Sequence, residues 1–124
     1  MEIKALVANS SKKERNNITR TLKEIGVRNV VEANDGREAM ELLKKGKFDV
    51  IFAEGNTQCC DGEELLTAAR KSDSKVTIIV TAPQSKKLDE LKKAYPNATN
   101  YLTMPFTKEQ LQKTVSQYLP TIAV

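Results

Sequence analysis

One stretch holds the residues best placed to do chemistry: Asp49-Val50-Ile51-Phe52-Ala53-Glu54-Gly55-Asn56. Four apolar residues run without alternation into a lone acid, then a glycine. Such a run reads as a strand buried on both faces, as in a parallel sheet. The acid falls where that strand would emerge at its C-terminal end, which is where open α/β sheets gather their ligands. Glu54 is therefore a natural candidate for catalysis, and its role depends on what the neighbouring strand ends bring to it.

Other reactive groups are few. Ser10 and Ser11 follow the first apolar run and offer hydroxyls at a helix start, but Asn9-Ser10-Ser11-Lys12 has no glycine, so it makes a poor phosphate loop. Cys59 and Cys60 are adjacent, and the chain has no His. Neighbouring cysteines rarely pair, and two alone do not make a zinc site, so both read as free thiols in a loop.

The elements that must position these residues follow from periodicity. Ile3–Ala8 reads as a strand. Ser11 and Glu14 have capping-box spacing, and Ile18, Leu22 and Ile25 recur at helical spacing up to a stop at Gly26. Val27–Ala33 is a second strand. Asp35 and Glu38 cap a helix through Ala39, Leu42 and Leu43 that stops at Gly46. Phe48–Ala53 is the third strand. Asp61 and Glu64 open a helix with Leu65, Leu66 and Ala69. Lys75–Ala82 is the fourth strand, followed by a helix from about Ser85 to Tyr95 with Leu88 and Leu91 inward. Pro96 ends it. Asn100–Met104 is the fifth strand, and Thr107 with Gln110 caps a last helix striped by Leu111, Val115 and Leu119. Strand and helix thus alternate five times. Short right-handed connections then predict an α/β fold, a doubly wound five-stranded parallel sheet with helices on both faces.

Length and composition agree with this. A chain of 124 residues, 40% hydrophobic and 29% charged, predicts one domain over 1–120 with a short tail at 121–124. No run reaches transmembrane length and the apolar N-terminal stretch is too short for a signal peptide, so a cytoplasmic chain is expected. Starting at Met1 and ending just past Pro120, it is expected to stand alone as a protein. The net charge of +4 comes from dispersed lysines, with neither arginine–aromatic interleaving nor a zinc pattern. A basic nucleic-acid-binding domain is the weaker reading of that charge.

The chain resembles the receiver domain of bacterial two-component response regulators, nearest the small chemotaxis type. The resemblance rests on Thr21–Gly26, Asn29–Ala33, Asp35-Gly36, Phe48–Ile51, Asp61–Leu66, Val80-Thr81-Ala82 and Pro105-Phe106-Thr107 at the family's spacings, and it covers nearly the whole chain. It implies a flavodoxin-like (βα)5 fold with strand order 2-1-3-4-5 and a non-enzymatic signalling module.

The resemblance also says what each strand end should hold. The two metal-binding acids after the first strand are matched by Ala8 and Asn9. The phospho-acceptor Asp is matched by Glu54, and the ligating backbone carbonyl two residues on by Asn56. Thr81 matches the switch hydroxyl, Tyr101 the switch aromatic, Met104 the phosphate-pairing lysine, and Pro105 the proline that follows it, usually through a cis peptide. Magnesium needs hard oxygen ligands, usually including carboxylates, and Ala8 and Asn9 do not supply them. A thioether at Met104 cannot neutralise a phosphoryl group. The expectation is a pseudo-receiver that binds no metal or cofactor and acts through protein–protein contact.

Within that reading Glu54 either mimics a phosphoryl group, hydrogen-bonded towards Thr81 with Tyr101 inward, or is an ordinary hydrated carboxylate. The resemblance places the partner surface on the fourth helix, fifth strand and fifth helix, where Lys86, Lys87, Lys92, Lys93, Tyr101, Thr103, Lys108 and Lys113 would form a basic face for an acidic protein partner. A monomer or weak dimer is expected. The alternatives are a receiver phosphorylated unconventionally on Glu54 or a nearby Asp, and a small flavodoxin-like ligand-binding domain.

Overall fold

The computed structural model describes residues 3–55, 62–72, 75–83, 87–96 and 98–119, with 62–64 described by backbone alone. Strands and helices alternate in chain order: β1 (Lys4–Ala8), α1 (Lys12–Glu24), β2 (Asn29–Ala33), α2 (Gly36–Lys45), β3 (Val50–Glu54), α3 (Gly62–Ser72), β4 (Thr77–Pro83), α4 (Leu88–Ala94), β5 (Asn100–Met104) and α5 (Lys108–Tyr118). All four strand pairings are parallel and the sheet order is β2-β1-β3-β4-β5, as expected.

Alternation along the strands sorts the core into two layers. Leu6 and Ala8 of β1, Ile51 and Ala53 of β3, and Ile78, Val80 and Ala82 of β4 pack with Ala39, Leu65, Leu66 and Leu91 from α2, α3 and α4. Ala5, Val7, Val50, Phe52 and Ile79 pack on the other side with Ile18 and Leu22 of α1 and Leu111 and Val115 of α5. The central strands are apolar on both faces because both are covered, which is why their sequences show no alternation.

Local signals set the helix ends. Gly26 sits at φ 104°, with its N–H donating to the Lys23 carbonyl and that of Val27 to the Leu22 carbonyl. This six-to-one and five-to-two pair is a Schellman stop, and a side chain at position 26 would be strained. Asp35 accepts from the Glu38 amide while Glu38 reaches back to the Asn34 amide. Thr107 and Gln110 form a complete capping box.

Several expectations need correction, among them the starts of β3 and β4, which lie at Val50 and Thr77 rather than Phe48 and Lys75. Leu88 is 50% exposed rather than inward, because α4 runs only from Leu88 to Ala94 and a helix of two turns buries Leu91 alone. β2 begins at Asn29, since Val27 is used by the α1 stop. Ser11 and Glu14 do not close a reciprocal capping box: Ser11 Oγ accepts from the Glu14 amide at 3.3 Å, but the Glu14 carboxylate goes to Asn9 instead. Cys59, Cys60, Asp61 and Ser85 lie outside the described residues.

Candidate functional site

The site is the C-terminal edge of the sheet, where β1, β3, β4 and β5 end side by side. Register places Ala8 beside Ala53, Glu54 beside Thr81, and Thr81 beside Leu102. Alternation from Val50 and Phe52 sends Glu54 toward the α1/α5 layer. There it meets the β1–α1 turn. Glu54 Oε2 lies 2.8 Å from the Ser10 backbone N and 2.8 Å from Ser10 Oγ, and Oε1 lies 2.9 Å from the same hydroxyl. The carboxylate is thus received by a backbone N–H and a hydroxyl of one residue, charge-assisted contacts of the stronger kind.

Asn9 is 1% exposed, and both ends of its amide are used. Oδ1 accepts from the Ser11 amide at 2.8 Å, and Nδ2 donates to Glu14 Oε2 at 2.9 Å. The first contact is an Asx turn that leads the chain into α1. The Asn9 N–H donates to the Ala33 carbonyl, and its own carbonyl accepts from Arg15 Nη1 at 2.7 Å, with Arg15 Nε 3.3 Å from Glu32. The turn is therefore satisfied by its own chain and by β2. Buried polar groups that are fully paired in this way are costly to redirect.

Those commitments bear on a divalent cation at this edge. The Ala8 side chain has no donor atom. The Asn9 amide oxygen already accepts the Ser11 N–H, and Glu54 accepts from Ser10. A hard cation needs several free oxygens in near-octahedral array. The residues described here do not fit one, and Asn56 lies outside the described residues.

Thr81 is buried, and its hydroxyl donates to the Ala53 carbonyl at 3.4 Å rather than to Glu54. The physical reason is that Glu54 has turned to Ser10, leaving the nearest acceptor on the adjacent strand. Met104 packs against the α1/α5 core and is joined to Pro105 by a cis peptide. Together with Pro83 these two form the apolar side of a groove of about 640 Å³, whose other wall is α1 with Asn16, Asn17 and Arg20.

Tyr101 projects to the opposite layer, packed against the α2/α3/α4 core. Its hydroxyl donates to the Tyr95 carbonyl at 2.7 Å. Burial raises its pKa above the ordinary 10.0, so at neutral pH the hydroxyl is protonated and able to donate. Tyr95, the residue that closes α4, donates its own hydroxyl to the Gly55 carbonyl, directly after Glu54. In the sequence Ser10 is only a hydroxyl near a helix start and Tyr95 only the residue before a proline, so neither is marked for these contacts.

On the expected partner face, Lys87, Lys92, Lys93, Thr103, Lys108 and Lys113 are all exposed, while Lys86 lies outside the described residues. Lys108 Nζ lies 4.0 Å from Glu24 of α1. Its charge is therefore shared with the α1 side, and Lys87, Lys92 and Lys93 are left as the cationic part of α4. No described helix is long and apolar enough to cross a membrane.

Known proteins share this fold. The family model described as response regulator receiver domain matches residues 5–116. The chain is 27% identical over 117 residues to chemotaxis protein CheY-3 of Vibrio cholerae, covering 90% of each. It is 25% identical over 117 residues to chemotaxis protein CheY of Pseudomonas aeruginosa, covering 93% of this chain and 94% of that one. Among solved structures, Vibrio cholerae CheY4 superposes with a TM-score of 0.83 at 30% identity, over 95% of this chain and 99% of that one. The receiver domain of a Pseudomonas aeruginosa sensor histidine kinase, solved with magnesium in its active-site cleft, shares the fold with a TM-score of 0.83 at 20% identity, over 97% and 99%.

Proposed function

The chain belongs to the response regulator receiver family of two-component signalling, and from its strand-end residues we propose that it works without the family's magnesium-dependent aspartyl-phosphate chemistry, as a protein-interaction module. The observation that carries this is the Glu54–Ser10 pairing. A carboxylate that accepts from both the amide and the hydroxyl of Ser10 is tied to the turn where relatives need open metal ligands. The buried, fully used Asn9 amide and the thioether of Met104 support the same reading. A phosphoryl group arriving here would find no metal clamp at Ala8 and Asn9 and, at position 104, a thioether in place of a lysine.

Among the described residues, an unconventional acceptor has little support near Glu54. Asp49 directly precedes β3 at the far end of the strand, about 17 Å from Glu54 by strand rise, and its carboxylate accepts from the Lys4 amide. Asp35 caps α2. Phosphoryl mimicry by Glu54 through Thr81 has no contact behind it, since the Thr81 hydroxyl is turned to Ala53.

The partner is read as an acidic protein surface that meets α4 and β5, where Lys87, Lys92 and Lys93 are exposed around Tyr101 and Thr103. A magnesium titration followed by amide NMR tests the site directly. Resonances of Asn9, Ser10 and Glu54 should stay in place at millimolar magnesium. A saturable shift confined to those residues would overturn the reading.

A further inference from the structure

Glu54 and Thr81 lie toward the α1/α5 layer and Tyr101 lies toward the other, so the sheet itself separates the strand-end acid from the aromatic of the partner face. A connection has to pass around the edge of the sheet. Tyr95 supplies one. Its hydroxyl donates to the Gly55 carbonyl, one residue past Glu54, and its carbonyl accepts from the Tyr101 hydroxyl at 2.7 Å. The same residue closes α4, with its N–H on the Leu91 carbonyl.

Gly55 is held from a second direction, because its N–H donates to the Thr81 carbonyl at 2.8 Å. A Cβ at this glycine would lie 3.3 Å from the Thr81 oxygen, 3.3 Å from Val80 Cγ1 and 3.5 Å from the Tyr95 ring. The two tight approaches are to β4, so the missing side chain lets the β3 end lie close against Thr81 and Val80.

We propose that Tyr95 is the positioning residue that couples the Glu54 end of β3 to the α4–β5 face, along Gly55–Tyr95–Tyr101, in place of a route through the Thr81 hydroxyl. Moving the Gly55 peptide moves the acceptor of the Tyr95 hydroxyl. Moving Tyr95 shifts both the last turn of α4, with Lys92 and Lys93, and the acceptor of Tyr101. The Thr81 hydroxyl reaches neither end of that path, donating instead to the Ala53 carbonyl at 3.4 Å. The biological use of this link rests on the reading of Glu54 and the partner face given above. The link itself needs neither a partner nor a phosphoryl donor.

The test uses amide NMR on the full chain, with Glu54→Gln as the perturbation, in the wild-type, Tyr95→Phe and Thr81→Val backgrounds. In the wild type, Glu54→Gln should shift the amides of Tyr101, Lys92 and Lys93. The same shifts should persist with Thr81→Val and vanish with Tyr95→Phe. Amide exchange at Gly55 should also rise about fivefold in Tyr95→Phe, as expected for the loss of one neutral hydrogen bond. Tyr101→Phe breaks only the second contact, so transmission to Lys92 and Lys93 should survive in it, which keeps the proposal testable if Tyr95→Phe fails to fold. Equal transmission in Tyr95→Phe, loss of it in Thr81→Val, or no shift beyond Gly55 in the wild type would each overturn the proposal. None of these results depends on whether magnesium binds, so this failure and failure of the proposed function are distinguishable.

Discussion

Glu54 and Ser10, forty-four residues apart in the chain, are joined through three contacts of 2.8 to 2.9 Å, two of them to the serine hydroxyl. The pairing turns the strand-end acid into a structural tie between β3 and the β1–α1 turn. Removing the hydroxyl should loosen that turn without unfolding the chain. Ser10→Ala keeps the backbone N–H donor and returns part of the carboxylate to water, so its cost should be about 1 kcal/mol or less. Urea denaturation of the variant against the wild type measures it.

Asn9 gives a larger effect. Asn9→Asp would restore one of the family's acids by changing a single atom, yet the structure predicts a loss of stability. The amide nitrogen that donates to Glu14 would become an oxygen, facing a second carboxylate in a buried position. The cost should be about 1–3 kcal/mol, typical of a buried polar group left without its partner. Asn9→Asp combined with Glu14→Gln should recover part of it, since the glutamine amide can donate to the new carboxylate. Thermal melts of the single and double variants check the order.

Gly55→Ala tests the close packing of the β3 end. The added methyl meets a backbone oxygen and a β-branched side chain at 3.3 Å, neither of which is the end of a flexible chain. The β4 edge must give by a few tenths of an ångström, and overpacking of this kind costs about 1–3 kcal/mol. Urea denaturation of the variant against the wild type measures the destabilisation.

Tyr101 supplies a pH dependence. Burial raises its folded-state pKa above 10.0. Below that value the phenol is protonated in both folded and unfolded chains, and its contribution to stability is fully present. As pH rises past it, the unfolded chain loses the proton first, so stability falls until the folded-state pKa is passed. Tyr101→Phe should therefore lose less stability than the wild type on going from neutral to strongly alkaline pH, as read from urea midpoints at several pH values.

The fold was legible because several local signals agreed: apolar runs in β1, β3 and β4, the caps at Asp35 and Thr107, and the stop at Gly26. Leu88 was misread because one apolar residue at helical spacing cannot show that the helix is only two turns long. At the site, the position of each strand-end residue could be read from the chain, but the direction each side chain takes could not. Glu54 turns to Ser10 and Asn9 turns to the Ser11 amide and the Glu14 carboxylate, because polar side chains at a strand end choose among several partners of similar energy. The Tyr95 bridge was hidden for a related reason. It joins residues forty positions apart through a backbone carbonyl, and a carbonyl leaves no mark in a sequence.

The most direct measurement is the intact mass of the native chain after incubation with acetyl phosphate and magnesium at neutral pH. A chain whose acid is held by Ser10, with no metal ligands at Ala8 and Asn9 and no cation at Met104, should keep the mass of the untreated protein. A magnesium-dependent gain of one phosphoryl group, abolished by Glu54→Gln, would contradict the account.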